Sequence, residues 1–243
     1  KTSQHLSALL LSMPAMKGSI RIQRKGELVS RRHAQLSFEI AQKCGSENAI
    51  EKDTLSNFKC IPPDLIEIPP DASHVAFAKL FEMIHGVKTS LPIIDPNDCI
   101  GSEILFEIDL TKRCEINLRD ANDLISPLSA AMAIGGGGLI HGASHAQYKE
   151  SPRISSTIKL LSAFGIKAKM FEDGLEIEGG QLPHKPSEMV QTYDDHRMQM
   201  TAIILATKTG GLIEGSQLHL VSDPDFIENL ANYGICFENP STS

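Results

Sequence analysis

The stretch that decides the fold lies in the second half of the chain and reads LLSAFGIKAKMFEDGLEIE over residues 160–178. Its apolar residues follow helical spacing as far as Gly165, and glycine readily adopts the left-handed conformation that ends a helix. An extended segment comes next, and the pair Asp173-Gly174 separates residues 167–171 from residues 175–178, which is a hairpin signal. The stretch therefore predicts a helix followed by a β-hairpin.

The same module of helix, glycine and extended segment occurs twice more. One copy ends at Gly45 after the helical segment 38–44, and another ends at Gly234, with extended residues 235–237 behind it. Together these copies predict repeated βαβαββ units in an α+β fold with an α/β-like layer pattern, in which helices cover one face of mixed sheets. Further helices are predicted at residues 3–13, 72–85, 127–134 and 224–233.

Four consecutive glycines, 135–138, separate a predicted helix from a predicted strand at residues 139–141. We interpret them as a helix stop and a flexible link. A phosphate-binding loop is disfavoured because no Lys-Ser or Lys-Thr pair follows to complete a P-loop. The proline-rich segment 61–71 is the best candidate for a domain boundary.

Composition excludes several classes of protein. The 243 residues carry a net charge of −7 and no long basic run, so nucleic acid is not an expected partner. No apolar stretch reaches about 18 residues, so the sequence predicts no membrane span. The five cysteines are scattered without CxxC spacing. They predict reduced thiols in a cytoplasmic protein, with neither a disulfide framework nor a zinc site.

Two charged motifs point to the chemistry, and they read KESPR at residues 149–153 and DHRM at residues 195–198. Each stands at a predicted helix start, where unpaired N–H groups and the helix dipole favour anions. Ser151 is the expected N-cap of the first helix, with Pro152 at its first position, and Asp194 or Asp195 is expected to cap the second. The motifs predict a site for a doubly anionic small molecule.

In order and spacing, these motifs, together with Thr2-Ser3-Gln4 and Asp71-Ala72-Ser73, resemble those of the 5-enolpyruvylshikimate-3-phosphate synthase family of enolpyruvyl transferases. The resemblance runs from end to end and matches about the last three-fifths of the family's chain. It implies two domains of βαβαββ units, the inside-out α/β barrel fold. Residues 1–67 would be the last unit of one domain, and residues 68–243 most of the other.

The resemblance also implies an activity. Members of the family transfer the enolpyruvyl group of phosphoenolpyruvate to the 5-hydroxyl of shikimate 3-phosphate and release phosphate, a step of aromatic amino acid biosynthesis. They need no metal or organic cofactor. We therefore expect a cytoplasmic transferase that acts on two small molecules, and we expect the full-length enzyme to be monomeric.

The resemblance assigns the acid–base pair first. Glu150 is the expected proton donor to the methylene carbon, and Asp123 is the expected base, with Asp120 as the alternative because the spacing there is irregular. Arg153 and Arg197 would clamp phosphoenolpyruvate, since a guanidinium group matches carboxylate and phosphate geometry.

The other expected roles concern shikimate 3-phosphate. Lys149 and Asp123 would contact this substrate, Lys149 at its 5-hydroxyl. Its 3-phosphate would be held by three hydroxyl side chains, those of Thr2, Ser3 and Ser30. Gln4 would touch both substrates, and His196 would support the site.

Several residues depart from the family pattern. Pro152 replaces an acidic residue, His145 or a neighbour replaces an asparagine, and Val221 or a neighbour stands where the family usually has a phosphoenolpyruvate-binding lysine. The family's amino-terminal ligands and Gly-rich loop have no counterpart. We therefore expect this chain to be a fragment that is inactive alone.

Alternative interpretations remain open at this point. The chain could be a UDP-N-acetylglucosamine enolpyruvyl transferase, or a non-catalytic module that binds phosphate ligands or serves in assembly. The individual residues have plainer roles too. Ser30 and Asp195 could simply cap helices, His196 could be structural, and Arg31 and Arg32 could form a solvated face.

Overall fold

The computed structural model describes residues 3–26, 28–67, 71–90 and 101–238. Its helices are α1 (Gln4–Ser12), α2 (Arg31–Lys43), α3 (His74–His85), α4 (Ser102–Glu107), α5 (Ile125–Ile134), α6 (Arg153–Ala163), α7 (His196–Thr209) and α8 (Phe226–Ala231). Its strands are β1 (Ser19–Arg21), β2 (Thr54–Ser56), β3 (Cys114–Asn117), β4 (Gly137–His141), β5 (Ala168–Phe171) and β6 (Gly174–Glu178). Short 3-10 helices cover Met13–Ala15, Asn122–Leu124, Ser144–Tyr148 and Leu218–Val221.

One complete βαβαββ unit runs from β3 to β6 in the order β3-α5-β4-α6-β5-β6. The strands β3 and β4 are parallel, β6 is antiparallel to both β4 and β5, and the sheet order is β3-β4-β6-β5. The predicted hairpin is confirmed, because Phe171 pairs with Gly174 across the turn. The predicted unit is therefore present in full between residues 114 and 178.

Another βαβ arrangement begins after this unit but is reduced to a single bridge. Val190 and Ile213, which lie on either side of α7, form an isolated parallel bridge. The third predicted module is only half correct. Gly234 follows α8 with a φ of +83°, but residues 235–237 form no strand in the part of the chain that the structure describes.

The glycine run ends α5 as predicted, since the Gly135 N–H donates to the Ala131 carbonyl at 2.9 Å. Its interpretation as a flexible link is wrong. Gly137 and Gly138 are the first residues of β4, and a Cβ on Gly138 would lie 1.8 Å from the Cys114 carbonyl oxygen. The glycines are needed because backbones approach each other too closely here for a side chain.

Helix α5 is buried from Ile125 to Ala133, because it lies among α3, α6, α7 and the sheet. It is the centre of a large hydrophobic core that runs from Ala72 to Leu230. A second, smaller core runs from Leu10 to Leu55 and joins α1, α2 and β2. A helix that is apolar on all sides can be stable only in such an interior position.

The four further helices predicted from sequence are confirmed as α1, α3, α5 and α8, with ends shifted by one or two residues. Helix α4 was not predicted. The predicted domain boundary after residue 67 borders residues 68–70, which lie outside the described residues, and it stays a prediction. Within the described ranges, no helix combines the length and the apolar character that a membrane crossing requires.

Candidate active site

The candidate site forms where three helices begin. The parallel strands β3 and β4 end at the same edge of the sheet, and the connections that follow them lead into α5 and α6. In open α/β sheets, ligands commonly bind beyond the carboxyl ends of such strands. Asp123 lies in the turn before α5, Lys149 and Glu150 precede α6, and Arg153 is the first residue of α6. Arg197 is the second residue of α7.

Arg153 is the centre of the site, with only 1% of its surface exposed. Its guanidinium group donates from Nε to Asp195 Oδ2 at 2.9 Å, from Nη2 to Glu150 Oε2 at 2.6 Å, and from Nη1 to Asp123 Oδ1. Burial alone would lower the pKa of Arg153, but the charges of Asp195 and Asp123 raise it. One buried cation therefore holds carboxylates from three separate segments of the chain.

Asp123 brings the two motif arginines together. Its Oδ1 atom accepts from Arg153 and lies 3.5 Å from Lys149 Nζ and 3.9 Å from Arg197 Nε, while its Oδ2 atom lies 3.7 Å from His33 Nε2. Burial alone would raise the pKa of the Asp123 carboxyl. The neighbouring His33 imidazole and the charges of Arg197, Arg153 and Lys149 instead lower this pKa well below its usual range.

Asp195 links α7 to α6. Its Oδ1 atom accepts from the Arg197 N–H at 3.0 Å, which confirms the predicted N-cap. Its Oδ2 atom accepts from Ser151 Oγ at 2.8 Å and from Arg153 Nε, so capping is only part of its role. The prediction that Ser151 caps α6 is wrong because the helix begins at Arg153, and the Ser151 hydroxyl donates to Asp195. Pro152 occupies the N-cap position instead, one place before the position expected.

Arg197 also contacts the motif Asp71-Ala72-Ser73. Its Nη1 atom donates to Ser73 Oγ at 2.9 Å, and Ser73 stands at the start of α3. Asp71 accepts from the Ser73 N–H at 2.9 Å and so holds this turn in place. The motif Asp71-Ala72-Ser73 therefore lies beside the arginine cluster.

Ser30 faces the same site from the smaller core. It occupies the N-cap position of α2 with a φ of +52° but makes no capping hydrogen bond with its side chain. Its hydroxyl instead accepts from Asn122 Nδ2 at 3.2 Å, and the same amide group lies 2.5 Å from His145 Nε2. Asp120, the alternative base, accepts from the Arg31 N–H at 2.7 Å.

Two residues of this group were not singled out from the sequence, Asn122 and His33. Asn122 precedes Asp123 directly, and His33 lies one helical turn after Ser30. Their positions beside two candidate residues were the only signal that could have identified them. Of the arginines expected to form a solvated face, Arg31 is largely exposed, whereas Arg32 is only partly exposed and pairs with Glu39 at 2.9 Å.

The remaining candidates lie at helix starts or outside the described residues. Ser3 is buried at the start of α1, Gln4 is its exposed first residue, and Thr2 lies outside the described residues. His196 is the first residue of α7, and burial followed by the charge of Arg197 lowers its pKa. Val221 is 74% exposed at the end of a 3-10 helix. No group of three metal-ligating side chains occurs in the ranges that the structure describes.

The architecture is similar to solved enolpyruvyl transferases. An EPSP synthase from Acinetobacter baumannii matches 98% of this chain and 62% of its own at a TM-score of 0.66 and 18% identity. The enolpyruvyl transferase NikO from Streptomyces tendae matches 96% of this chain and 60% of its own at a TM-score of 0.64 and 15% identity. The chain therefore has the enolpyruvyl transferase fold, as predicted.

Sequence comparison identifies the family within this class. The family model for EPSP synthase (3-phosphoshikimate 1-carboxyvinyltransferase) matches residues 101–230, more than half of the chain. The chain belongs to this family. Curated relatives named 3-phosphoshikimate 1-carboxyvinyltransferase include those of Methanosarcina acetivorans, 30% identical, and Korarchaeum cryptofilum, 27% identical, each matching 96% of this chain. The chain spans 60% of the length of these relatives.

Proposed function

We propose that this chain is the part of a 3-phosphoshikimate 1-carboxyvinyltransferase that binds phosphoenolpyruvate and carries the acid–base pair. The protein would transfer the enolpyruvyl group to the 5-hydroxyl of shikimate 3-phosphate and release phosphate. The observation that carries this proposal is the meeting of Arg153 and Arg197, from different helices, at the single carboxylate of Asp123.

The charge balance of the site explains how an anion would bind. Three basic and three acidic side chains are linked in one cluster: Lys149, Arg153, Arg197, Asp123, Glu150 and Asp195. Because these charges cancel, an incoming anion must compete with a carboxylate for the arginines. Asp123 is the carboxylate that both arginines share. The phosphate or carboxylate of phosphoenolpyruvate would replace Asp123 as their partner, with the paired N–H groups of each guanidinium matched to its oxygens.

This replacement would also prepare Asp123 for catalysis. A general base works best when its pKa lies near the working pH, and the surrounding cations hold the pKa of Asp123 far below that range. Once phosphoenolpyruvate neutralises Arg153 and Arg197, the pKa of Asp123 rises. Asp123 would then accept the proton of the 5-hydroxyl while the hydroxyl oxygen attacks phosphoenolpyruvate. Binding of phosphoenolpyruvate would thus activate the base that acts on shikimate 3-phosphate.

Glu150 is suited to the proton transfer at carbon. It contacts the opposite arm of the Arg153 guanidinium group from Asp123, and its side chain is 49% exposed. Glu150 would take up a proton from solvent and deliver it to the methylene carbon during addition. Because the product keeps its double bond, Glu150 would take a proton back from the resulting methyl group as phosphate leaves. The two carboxyl groups would thus work on separate substrate atoms.

The remaining assignments belong to the same proposal. Thr2, Ser3, Gln4 and Ser30 would bind shikimate 3-phosphate, and Ser30 is supported by its contact with Asn122. His196 would support the arginines as a neutral imidazole. The two separate hydrophobic cores support a division into units 1–67 and 68–243. We further propose a cytoplasmic, monomeric enzyme that acts on small molecules without a cofactor.

The test is phosphate release from phosphoenolpyruvate and shikimate 3-phosphate by the protein that the complete reading frame encodes. Arg197→Ala and Glu150→Gln should each lower the turnover rate by orders of magnitude. Arg113→Ala and Glu115→Gln, which change exposed residues of the same types, are the controls and should leave the rate unchanged.

Three other results would contradict the proposal. Unchanged rates in Arg197→Ala and Glu150→Gln would remove the roles given to these residues. Phosphate release only when UDP-N-acetylglucosamine replaces shikimate 3-phosphate would favour the related transferase. Binding of both substrates without any phosphate release would favour a non-catalytic module.

A further inference from the structure

Two cysteines that are distant in sequence lie side by side in the smaller unit. Cys44 follows the last residue of α2, and the segment after β2 folds back against it. The Ile61 N–H donates to the Cys44 carbonyl at 2.9 Å, and the Lys59 carbonyl oxygen would lie 3.3 Å from a Cβ on Gly45. Cys60, between Lys59 and Ile61, is therefore held next to Cys44.

The spacing of these backbones suits a covalent bridge. Cα atoms joined by a disulfide usually lie about 4.4–6.8 Å apart. The Cys44 carbonyl accepts from the peptide N–H that directly follows Cys60, so the two residues are within reach of such a bridge. The two thiols are close enough to affect each other: burial, and after it the neighbouring Cys60 thiol, raises the pKa of the Cys44 thiol. Cys60 is exposed and Cys44 is half-buried, so a soluble oxidant can reach the pair from the Cys60 side.

We propose that Cys44 and Cys60 form a site of reversible oxidation, at which a low-molecular-weight disulfide such as oxidised glutathione converts the two thiols into an intramolecular disulfide. The site lies outside the arginine cluster, and the inference is independent of the proposed transferase activity. The expectation from sequence was reduced thiols without a disulfide framework, and the proposal concerns one pair of thiols that an oxidant would join reversibly.

The reaction proceeds by two thiol–disulfide exchanges. The exposed Cys60 thiol loses its proton, and its sulfur attacks one glutathione sulfur. The S–S bond of oxidised glutathione breaks, and one glutathione leaves and takes up a proton. The Cys44 thiolate then attacks Cys60 Sγ and releases the second glutathione. The protein loses two hydrogens and is oxidised, and one molecule of oxidised glutathione is reduced to two of the thiol.

The second exchange requires the Cys44 thiolate, because only the thiolate attacks. Ring closure should therefore become faster as the pH rises above 7. The bridge would enclose residues 44–60, which include β2. It would tie the end of α2 to the segment that leads towards the larger core and restrict the unfolded chain.

Peptide mapping tests the proposal on the intact chain. The protein is incubated with oxidised glutathione, its remaining thiols are alkylated, and it is digested with trypsin without reductant. Cleavage at lysines should give peptide 44–52 linked to peptide 60–79. This linked species should dominate, should disappear after reduction, and should form faster at higher pH. The thermal midpoint of the oxidised chain should be several degrees higher than that of the reduced chain.

Single variants separate the two exchanges. Cys44→Ser should stop at a glutathione adduct on Cys60, because the second thiol is missing. Cys236→Ser changes an exposed cysteine outside the pair, so it should give the same linked peptides as the natural chain. Separate glutathione adducts on both cysteines of the pair in the natural chain, or an unmodified Cys60, would overturn the proposal.

Discussion

Replacing Asp123 with asparagine should make the protein bind anions more tightly. The substitution removes one negative charge from a point that lies 3.5 Å from Lys149 Nζ and 3.9 Å from Arg197 Nε, and that accepts a hydrogen bond from Arg153. Asparagine has nearly the same size and shape, so the site should keep its fold, but its neutral amide no longer gives Arg153 a charged hydrogen bond. The linked charged cluster changes from neutral to a net charge of +1.

The size of the effect follows from the contact that the anion no longer has to break. A hydrogen bond to a charged group contributes about 1.5–3 kcal/mol net. Since about 1.4 kcal/mol corresponds to a tenfold change in affinity, Asp123→Asn should bind phosphate or phosphoenolpyruvate about 10- to 100-fold more tightly. The same variant should lose turnover, because an amide cannot accept the proton of the 5-hydroxyl.

Isothermal titration with inorganic phosphate and then with phosphoenolpyruvate measures this affinity directly, after thermal unfolding has verified that the variant is folded. Asp120→Asn is the matched control, since it makes the same chemical change at a carboxylate that binds the Arg31 N–H. It should leave the affinity nearly unchanged and should retain turnover. Equal or weaker anion binding by Asp123→Asn would refute the idea that Asp123 occupies the anion position.

Three further predictions concern stability. Arg153→Ala should lower the free energy of unfolding by about 3–5 kcal/mol in denaturant titrations, because it leaves buried carboxylates without a partner. Arg197→Ala should lower the same free energy by only about 1–3 kcal/mol. Equal losses would contradict the central position of Arg153. Asp123 and Asp195 have lowered pKa values in the folded state, so the unfolded chain binds more protons at acid pH. Their stabilisation should be complete above about pH 5 and be lost progressively below about pH 4, and a flat stability profile down to pH 3 would contradict this. Gly138→Ala should prevent the larger hydrophobic core from forming, seen as lost near-UV circular dichroism, because its Cβ would lie 1.8 Å from a carbonyl oxygen of the neighbouring strand β3. A native spectrum would show that β3 and β4 can move apart to make room for the methyl group.

Much of the fold could be predicted from local signals. Gly165 has a φ of +75°, which favours glycine, so it identifies a helix end without tertiary information. The pair Asp173-Gly174 identifies the hairpin in the sequence, although Gly174 itself is the first residue of β6. The glycine run was misread because the sequence shows that Gly138 lacks a side chain but not that another backbone fills the space. That constraint is visible only once β3 and β4 are paired.

The site was predictable to a similar extent. The two charged motifs identified Arg153 and Arg197 because their residue types and positions at helix starts point to an anion site. The side chains that complete the cluster were not predictable, since Asp195 reads as a simple cap, and His33, which lies beside Asp123, reads as part of a surface helix. Their roles depend on how α2, α6 and α7 approach one another, which no short segment encodes.

The most direct test of the account is a crystal structure of the protein with phosphoenolpyruvate and shikimate 3-phosphate bound. We expect phosphoenolpyruvate oxygens at about 2.7–2.9 Å from the guanidinium nitrogens of both Arg153 and Arg197. The contact between Arg153 and Asp123 should be broken, and Asp123 should be turned towards the 5-hydroxyl. Phosphoenolpyruvate bound elsewhere, or bound while Arg153 still holds Asp123, would contradict it.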